Sequence, residues 1–169
     1  MTIVDHQIRQ LCREMGLVEP LDVDLINPAS IDVRIGSSIK REGDPSKGEG
    51  RWVDVDIENG VYSLAPGEFI LAATEEWVRV PPNMECVFNL KSSRGREGYE
   101  HLMAAYIDPG FHGNVTLEIV NVNRYHKLPL FHGMRIGQLR FSKVDEVPMR
   151  NYASTGRYHQ DKGPQVSKG

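Results

Sequence analysis

The chain has 169 residues, of which 25% are charged, a formal net charge of −3 and only two cysteines. This length supports one domain with a sizeable core. The 16 glycines and 10 prolines favour many turns and short strands over a helical bundle. There is no apolar run of about 18 residues and no signal-peptide pattern, so we expect a cytoplasmic protein with no membrane partner.

Charge is unevenly distributed along the chain. Residues 1–134 carry 13 Lys or Arg against 20 Asp or Glu, whereas residues 135–169 carry 7 basic against 3 acidic side chains. A basic C-terminal segment on an otherwise acidic protein is typical of a segment that binds an anionic ligand. On charge alone, a solvated terminus is the simpler interpretation.

The first third of the chain contains one clear helix. The apolar side chains of residues 3–15 fall along one helical face, and Gly16 is a suitable stop. Residues 31–35 alternate between apolar and polar and predict a strand. The polar, glycine-rich segment 40–51 predicts a loop or a hairpin connection.

Most of the remaining chain predicts short strands separated by turns. The apolar runs are VDVDI, VYSL, FILAATEEWVRV, MECVFNL, HLMAAYI, NVTLEIVNV, KLPLF and MRIGQLRFSKV. They show no βαβ rhythm and no repeat, which favours a mainly β, antiparallel barrel or jelly roll with a short N-terminal helix. We therefore predict a β domain over residues 1–150 and a flexible tail over residues 151–169, which orders on a partner surface.

The segment Lys91-Ser92-Ser93-Arg94-Gly95-Arg96-Glu97-Gly98 follows a predicted strand directly. Its hydroxyls, its basic side chains and the N–H groups of a turn together suit polyphosphate oxygens. The spacing is not that of a Walker loop. A basic surface turn is an equally good interpretation of these residues alone.

Glu118 is a second candidate. It lies between Leu117 and Ile119 in an alternating run, so it shares a strand face with Thr116 and Val120. A carboxyl group buried in an interior strand has a raised pKa and can shuttle protons near neutral pH. The pattern leaves the alternative open that this face is exposed to solvent.

The terminal stretch GRYHQDKGP, preceded by Tyr152, is the third candidate. It combines basic, aromatic and glycine residues without apolar periodicity. Such a segment can close over a bound anion, with Arg157 or Lys162 on phosphates.

Together these segments resemble the dCTP deaminase family, within the dUTPase-like superfamily of trimeric, distorted jelly rolls. The matching motifs, in the order of the family, are NPASIDVRIG, SSRGREG, IDPGF, TLEI, GMRIGQL and the terminal GRY with GP. The motifs cover almost the whole chain, and six of them in the correct order are a specific signal. The resemblance implies hydrolytic deamination of dCTP to dUTP and ammonia.

The resemblance also assigns roles to residues. Glu118 takes the place of the catalytic glutamate, which deprotonates the water that attacks C4 of cytosine and carries the proton to N3 and the amine. Ser92, Arg96 and the Ala104 backbone would hold that water, and Asp108 would bind the deoxyribose 3′-hydroxyl. The further nucleotide contacts that it implies, besides Ser92 and Arg96, are Lys91, Ser93, Thr116, Leu117, Gln138, Tyr152, Arg157 and Asp161.

Expectations about partners and cofactors follow from the same resemblance. Active sites of the family lie between subunits, which implies a homotrimer. The substrates are dCTP and dUTP, dTTP is a candidate inhibitor, no nucleic acid is expected, and Mg²⁺ is carried by the phosphates. Zinc deaminases need H-x-E and P-C-x-x-C motifs, and this sequence has neither. A deaminase built from it must therefore rely on a general base such as Glu118 instead of zinc.

Two further residues bear on the reaction. Tyr106 stands where members of the family that also hydrolyse dUTP to dUMP tend to carry an aromatic residue, and Gln138 suits these members too. We therefore favour the double activity, in which Asp108 also orients the water that attacks the α-phosphate. At Asp161 the family has Gln, so an unexpected negative charge lies near the phosphates.

Two other functions stay open on the sequence. One is a dUTP diphosphatase without deaminase activity, against which Glu118 argues because that reaction needs no base there. The other is a trimeric module that binds nucleotide without turnover.

Overall fold

The computed structural model describes all 169 residues and consists mainly of antiparallel strands. The helices are α1 (Asp5–Met15), α2 (Ser92–Glu97) and α3 (Tyr152–Thr155), and 3₁₀ turns occur at Val23–Leu25 and Pro45–Lys47. The strands are β1 (Val18–Glu19), β2 (Ile26–Asn27), β3 (Ser30–Arg34), β4 (Ser38–Glu42), β5 (Trp52–Asp56), β6 (Val61–Leu64), β7 (Phe69–Arg79), β8 (Met84–Leu90), β9 (Tyr99–Glu100), β10 (Tyr106–Ile107), β11 (His112–Asn121), β12 (Leu128–Phe131) and β13 (Arg135–Lys143). None of the helices has the length and apolar character needed to cross a membrane.

The strands form three sheets around one core. The largest sheet has the order β5-β4-β7-β11-β9, with β1 also paired to β7, and the second has the order β10-β8-β13-β3-β2. Strands β6 and β12 form a separate pair. A cluster of 31 buried residues, which includes residues of α1 and of both large sheets, forms the core. The mainly β prediction with a short N-terminal helix is confirmed, although the sheets do not close into a single barrel.

Helix α1 agrees with its prediction apart from a later start. Its buried side chains Ile8 and Cys12 face the core. Gly16 ends the helix in the left-handed conformation, with φ 67°, and its N–H donates to the Cys12 carbonyl at 3.1 Å. Glycine reaches this conformation without the steric cost that a Cβ would add.

Three local predictions are wrong. Residues 40–42 belong to β4, so the connection of the β4–β5 hairpin is shorter than the predicted 40–51. The run 101–107 is a strand only over β10, because Leu102 and Met103 adopt left-handed backbone angles, with φ 56° and 60°. The segment after β8 is the short helix α2, where a turn was predicted.

Strand β11 lies between β7 and β9 and has two different faces. Val115, Leu117 and Ile119 are buried in the core, whereas Thr116 and Glu118 are half-buried on the opposite face. This alternation is what an interior strand with one core-facing side requires. It places the Glu118 carboxyl outside the core and beside a cavity described below.

A β-bulge in β7 faces the first half of β11. The pairing with β7 shifts between Asn114 and Thr116. There the Val115 N–H donates to the Thr74 hydroxyl at 3.0 Å, and that hydroxyl donates to the Glu76 carbonyl at 2.8 Å. The buried Thr74 side chain thus takes the place of a backbone acceptor that the bulge removes from the ladder.

We expect Thr74→Val to lower the free energy of unfolding by about 1–3 kcal/mol, because the Val115 N–H is left buried without an acceptor. Urea unfolding measures the change. The control is Thr155→Val, because the Thr155 hydroxyl also makes a hydrogen bond, to the Asn151 carbonyl at 3.1 Å, but at an exposed position where water can satisfy the carbonyl instead. Equal stability of the two variants would contradict the role given to Thr74.

Candidate functional site

A cavity of about 510 Å³ lies beside the half-buried face of β11. Thr116 and Glu118 contribute to its lining, together with Leu71, the β7 residue paired with Glu118. The other residues that line it are Arg51, Trp52, Phe69, Ala104, Tyr106, Ile107, Asp108, Phe111, Asn114, Val115, Tyr152, Tyr158, Asp161, Gln165 and Ser167. A concave site of this size, with apolar walls and few polar groups, is typical of small-molecule binding.

Among the titratable groups in this cavity, Glu118 is the best suited to proton transfer. Its carboxyl group makes no hydrogen bond or ion pair with another side chain. Burial raises the pKa of Glu118 above its ordinary value. The hydrogen bond from its own backbone N–H and the nearby His101 have smaller effects that lower this pKa. A half-buried carboxyl with a raised pKa is suited to take up and release a proton near neutral pH.

Asp108 is presented to the same cavity by a tight turn. Its carbonyl accepts the Phe111 N–H at 3.1 Å, and the Gly110 N–H donates to the Val80 carbonyl at 3.1 Å. Gly110 has φ 86°, and a Cβ there would lie 3.2 Å from the Asn151 side chain, so glycine is needed both for the turn and for the approach of the tail. The exposed Asp108 carboxyl is free to meet a ligand.

The tail lies along the exposed face of β11 and forms one wall of the cavity. The Gly163 N–H donates to Asn114 Oδ1 at 3.3 Å, and the Gln165 N–H donates to Thr116 Oγ1 at 3.1 Å. Farther back, Tyr152 packs on Phe111 with ring centroids 5.4 Å apart. The division into a β domain and a tail that closes over the site stays a prediction.

The structure brings half of the predicted site residues together. Those that line the cavity are Ala104, Asp108, Thr116, Glu118, Tyr152 and Asp161. Those that lie outside it are Lys91, Ser92, Ser93, Arg96, Gln138 and Arg157. The Leu117 side chain is in the core, so only its backbone is available to a ligand.

Two of the outlying residues have structural partners. Lys91 forms an ion pair with the buried Asp32, which also accepts a hydrogen bond from Asn27 at 2.8 Å. Gln138 accepts the Ser30 hydroxyl at 2.6 Å. These contacts link β8, β13 and β3, so the two side chains are committed to the second sheet.

Helix α2 contains two arginines, and only one of them has a partner within the chain. Arg94 is held by Glu97 at 2.7 Å and by the Arg135 carbonyl at 3.0 Å. Arg96, in contrast, is exposed and makes no hydrogen bond or ion pair through its side chain. Ser92 and Ser93 are also exposed. The hydroxyls and the guanidinium group of this helix are therefore accessible to a ligand, although they do not line the cavity of their own chain.

Sequence reasoning missed the far wall of the cavity. Trp52 and Phe69 pack edge to face with centroids 5.9 Å apart, and Arg51 lies 6.0 Å above the Trp52 ring. Nothing local marks these residues, because the β4–β5–β7 pairing brings them together only in the folded sheet. Asp161 forms an ion pair with Lys168, a contact that no sequence motif indicated.

No group of three or more His, Cys, Asp and Glu side chains in the structure is arranged to hold a metal ion. The cavity instead combines the half-buried, unpaired carboxyl of Glu118, the exposed carboxyl of Asp108, the Asp161 carboxyl that is paired with Lys168, aromatic walls and a terminal segment across its mouth. Fold and site together define a protein that encloses a small molecule and can exchange a proton with it.

Comparison with known proteins identifies the family. A family profile described as dCTP deaminase-like matches residues 2–144. A protein of Dictyoglomus turgidum named "dCTP deaminase, dUMP-forming" is 38% identical over 99% of this chain and 94% of its own length. One of Aquifex aeolicus with the same name is 35% identical over 96% of this chain and 92% of its own length. The protein therefore belongs to the dCTP deaminase-like family.

A solved structure supports the same assignment. The crystal structure of 2′-deoxycytidine 5′-triphosphate deaminase from Agrobacterium tumefaciens superimposes with a TM-score of 0.69 at 26% identity. The match covers 85% of this chain and 48% of that one, so this chain spans about half the length of the Agrobacterium protein.

We expect Glu118→Gln to unfold at a higher urea concentration than the wild type at pH 7. The raised pKa means that ionised Glu118 costs folding free energy, a cost that grows as pH rises through the ordinary Glu range and is absent when both states are protonated. The difference between variant and wild type should therefore shrink at pH 4. A difference of the same size at both pH values would contradict this assignment.

Proposed function

We propose that this protein converts dCTP to dUMP in two hydrolytic steps, deamination of the base and then removal of diphosphate. The observation that carries the proposal is the half-buried Glu118 carboxyl in a cavity of nucleotide size. The names of the relatives from Dictyoglomus turgidum and Aquifex aeolicus support the dUMP-forming activity.

In the first step Glu118 acts as the general base. It removes a proton from a water molecule as the oxygen forms a bond to C4 of cytosine. The proton passes to N3, and a second transfer lets the 4-amino group leave as ammonia, so dCTP and water become dUTP and ammonia. Burial favours this cycle, because a carboxyl with a raised pKa both accepts and returns the proton near neutral pH.

In the second step a water molecule attacks the α-phosphate of dUTP, and diphosphate leaves. Asp108 is the candidate that orients this water, because its exposed carboxyl lines the same cavity. It also binds the sugar 3′-hydroxyl in this proposal. Tyr106, which lines the cavity next to it, is the aromatic residue associated with the double activity.

Mg²⁺ enters this proposal as part of the substrate, bound to the phosphates. The nucleotide dTTP shares the sugar and triphosphate but offers no 4-amino group, so we expect it to compete for the same cavity without turnover.

Incubation with dCTP and Mg²⁺ should yield ammonia, diphosphate and dUMP in equal amounts. Chromatography of the nucleotides separates the alternatives. Accumulation of dUTP would limit the activity to deamination, whereas conversion of added dUTP alone would indicate a diphosphatase. Tight binding of unchanged dCTP and dUTP would indicate a module without turnover.

Glu118→Gln should lower the deamination rate by at least about a hundredfold, because it removes the base and keeps the shape. Calorimetry with dCTP should find affinity within several-fold of the wild type. A variant that still released ammonia at the wild-type rate would overturn the role of Glu118.

We also propose that a homotrimer completes the site. Ser92, Ser93 and Arg96 are exposed and do not line the cavity of their own chain, yet the triphosphate of a nucleotide bound there needs cations and hydroxyls as partners. If α2 of one subunit lies at the cavity of the next, these groups meet the phosphates and the attacking water. Closed cyclic symmetry then gives every subunit one complete site.

Mixed trimers test this arrangement. Arg96→Ala and Glu118→Gln should each be inactive alone, since every site lacks one group. After subunit exchange in equal amounts, about a quarter of the sites should regain both groups and activity should rise accordingly. Exchange without recovery would place Arg96 and Glu118 in the same subunit's site.

A further inference from the structure

The tail is anchored to β11 at a point away from the catalytic groups. The Gln160 N–H donates to the His112 carbonyl at 2.6 Å, and the Asn114 N–H donates to the Asp161 carbonyl at 3.3 Å. These two bonds pair the tail with the first residues of β11 like a short added strand. We call residues 112–114 and 159–161 the tail anchor.

Gly113 makes this pairing sterically accessible. Its φ of 156° is one that residues with a side chain rarely adopt, and a Cβ there would lie 3.1 Å from the Asp161 carbonyl oxygen. That distance is shorter than an ordinary van der Waals contact. Glycine at position 113 therefore lets the tail backbone approach β11 this closely without the backbone strain and the displacement of the tail that a Cβ would cause.

Two imidazole rings pack over the anchor. His112 lies edge to face against Trp77, with centroids 5.2 Å apart, and against His159 of the tail, with centroids 5.9 Å apart. His112 Nε2 and His159 Nδ1 are buried and have no hydrogen-bond partner. A proton added at His112 Nε2 would place a charged N–H group where no acceptor meets it.

The charges around His112 act mainly in one direction. Arg79 is its partner in the β7–β11 register, and both Arg79 and His159 disfavour a positive charge on the ring, whereas Glu19 of β1 favours it. Burial is the largest influence, and together these lower the pKa of His112 below its ordinary value. Arg79 acts whether or not the tail is docked, whereas His159 and the burial that the tail adds act only in the docked state, so docking itself favours neutral His112.

We propose that His112 is a positioning residue whose neutral ring, with Gly113, holds the tail on β11, and that acidification releases the tail. The docked tail places Tyr158, Asp161 and Gln165 in the wall of the Glu118 cavity. Release would remove that wall and weaken substrate binding. The effect on catalysis rests on the proposed function, whereas the release itself does not.

Proton linkage gives the direction and the size of the effect of pH on tail docking. Because the docked state binds fewer protons than the released state, docking is fully favoured above the ordinary His pKa of about 6.5 and weakens by up to about tenfold for each pH unit below it. The deaminase KM should rise over the same range. Protonation of Glu118, in contrast, lowers kcat, so the two groups separate in the kinetic parameters.

Hydrogen exchange of the Gln160 and Asn114 amides, corrected for intrinsic rates and measured without nucleotide from pH 8 to pH 5.5, tests the release. Wild-type protection should fall below about pH 6.5. His112→Phe, which keeps an aromatic ring but cannot be protonated, should retain its protection throughout. The matched control His126→Phe, at an exposed position, should behave as the wild type does. Constant wild-type protection, or an equal fall in His112→Phe, would overturn the proposal.

A second measurement does not depend on how His112→Phe packs. In Gly113→Ala the strained backbone and the close Cβ should weaken the anchor at every pH, so an NMR titration should give His112 a higher pKa than in the wild type. Equal pKa values in the two proteins would overturn the proposal. If exchange follows the predicted pattern while dCTP remains unchanged, the anchor stands and the proposed function fails.

Discussion

The pairing of β11 with β7 is the constraint on which the site depends. One face of β11 is anchored in the core by Leu117 and Ile119, and the opposite face carries Glu118 into the cavity. A shift of register by one residue would exchange these faces, burying the carboxylate in the core and exposing two large apolar side chains. The hydrogen bond from the Val115 N–H to Thr74 holds this register where β7 bulges, and so it supports the cavity as well as the fold.

The burial that positions Glu118 also tunes it. Withdrawing a carboxylate from water raises its pKa and costs folding free energy, and the fold offsets that cost elsewhere in a tightly packed core. The same site needs a boundary against solvent, which the tail supplies through contacts with Asn114 and Thr116 on the same strand. Strand β11 thus carries both the proposed base and the surface that receives the tail, and the bulge that faces its first half lies in β7.

The parts that could be predicted from the sequence are those with a local signature. Alternation around Glu118 predicted the strand and its faces, and Gly16 predicted the end of α1. The contacts of Trp52 with Phe69 and of Lys91 with Asp32 join residues far apart in the chain, so no local pattern reveals them. The strand predicted for residues 101–107 rested on an apolar run, and that run carries no signal for the left-handed backbone that the surrounding fold imposes on Leu102 and Met103.

The position of Arg96 illustrates a different limit. Its motif predicted a functional role for it, yet within one chain it does not line the cavity that Glu118 lines. Motif order reports which residues a reaction uses, whereas only the assembled molecule decides which copies of them meet.

The most direct test of the central claim, that a half-buried Glu118 is the base for deamination, is the pH dependence of a single turnover of dCTP at saturating enzyme. The rate should decline on the acid side with an apparent pKa above the ordinary glutamate value, because burial raises the pKa of Glu118. A rate that stays constant down to the ordinary glutamate pKa would contradict it.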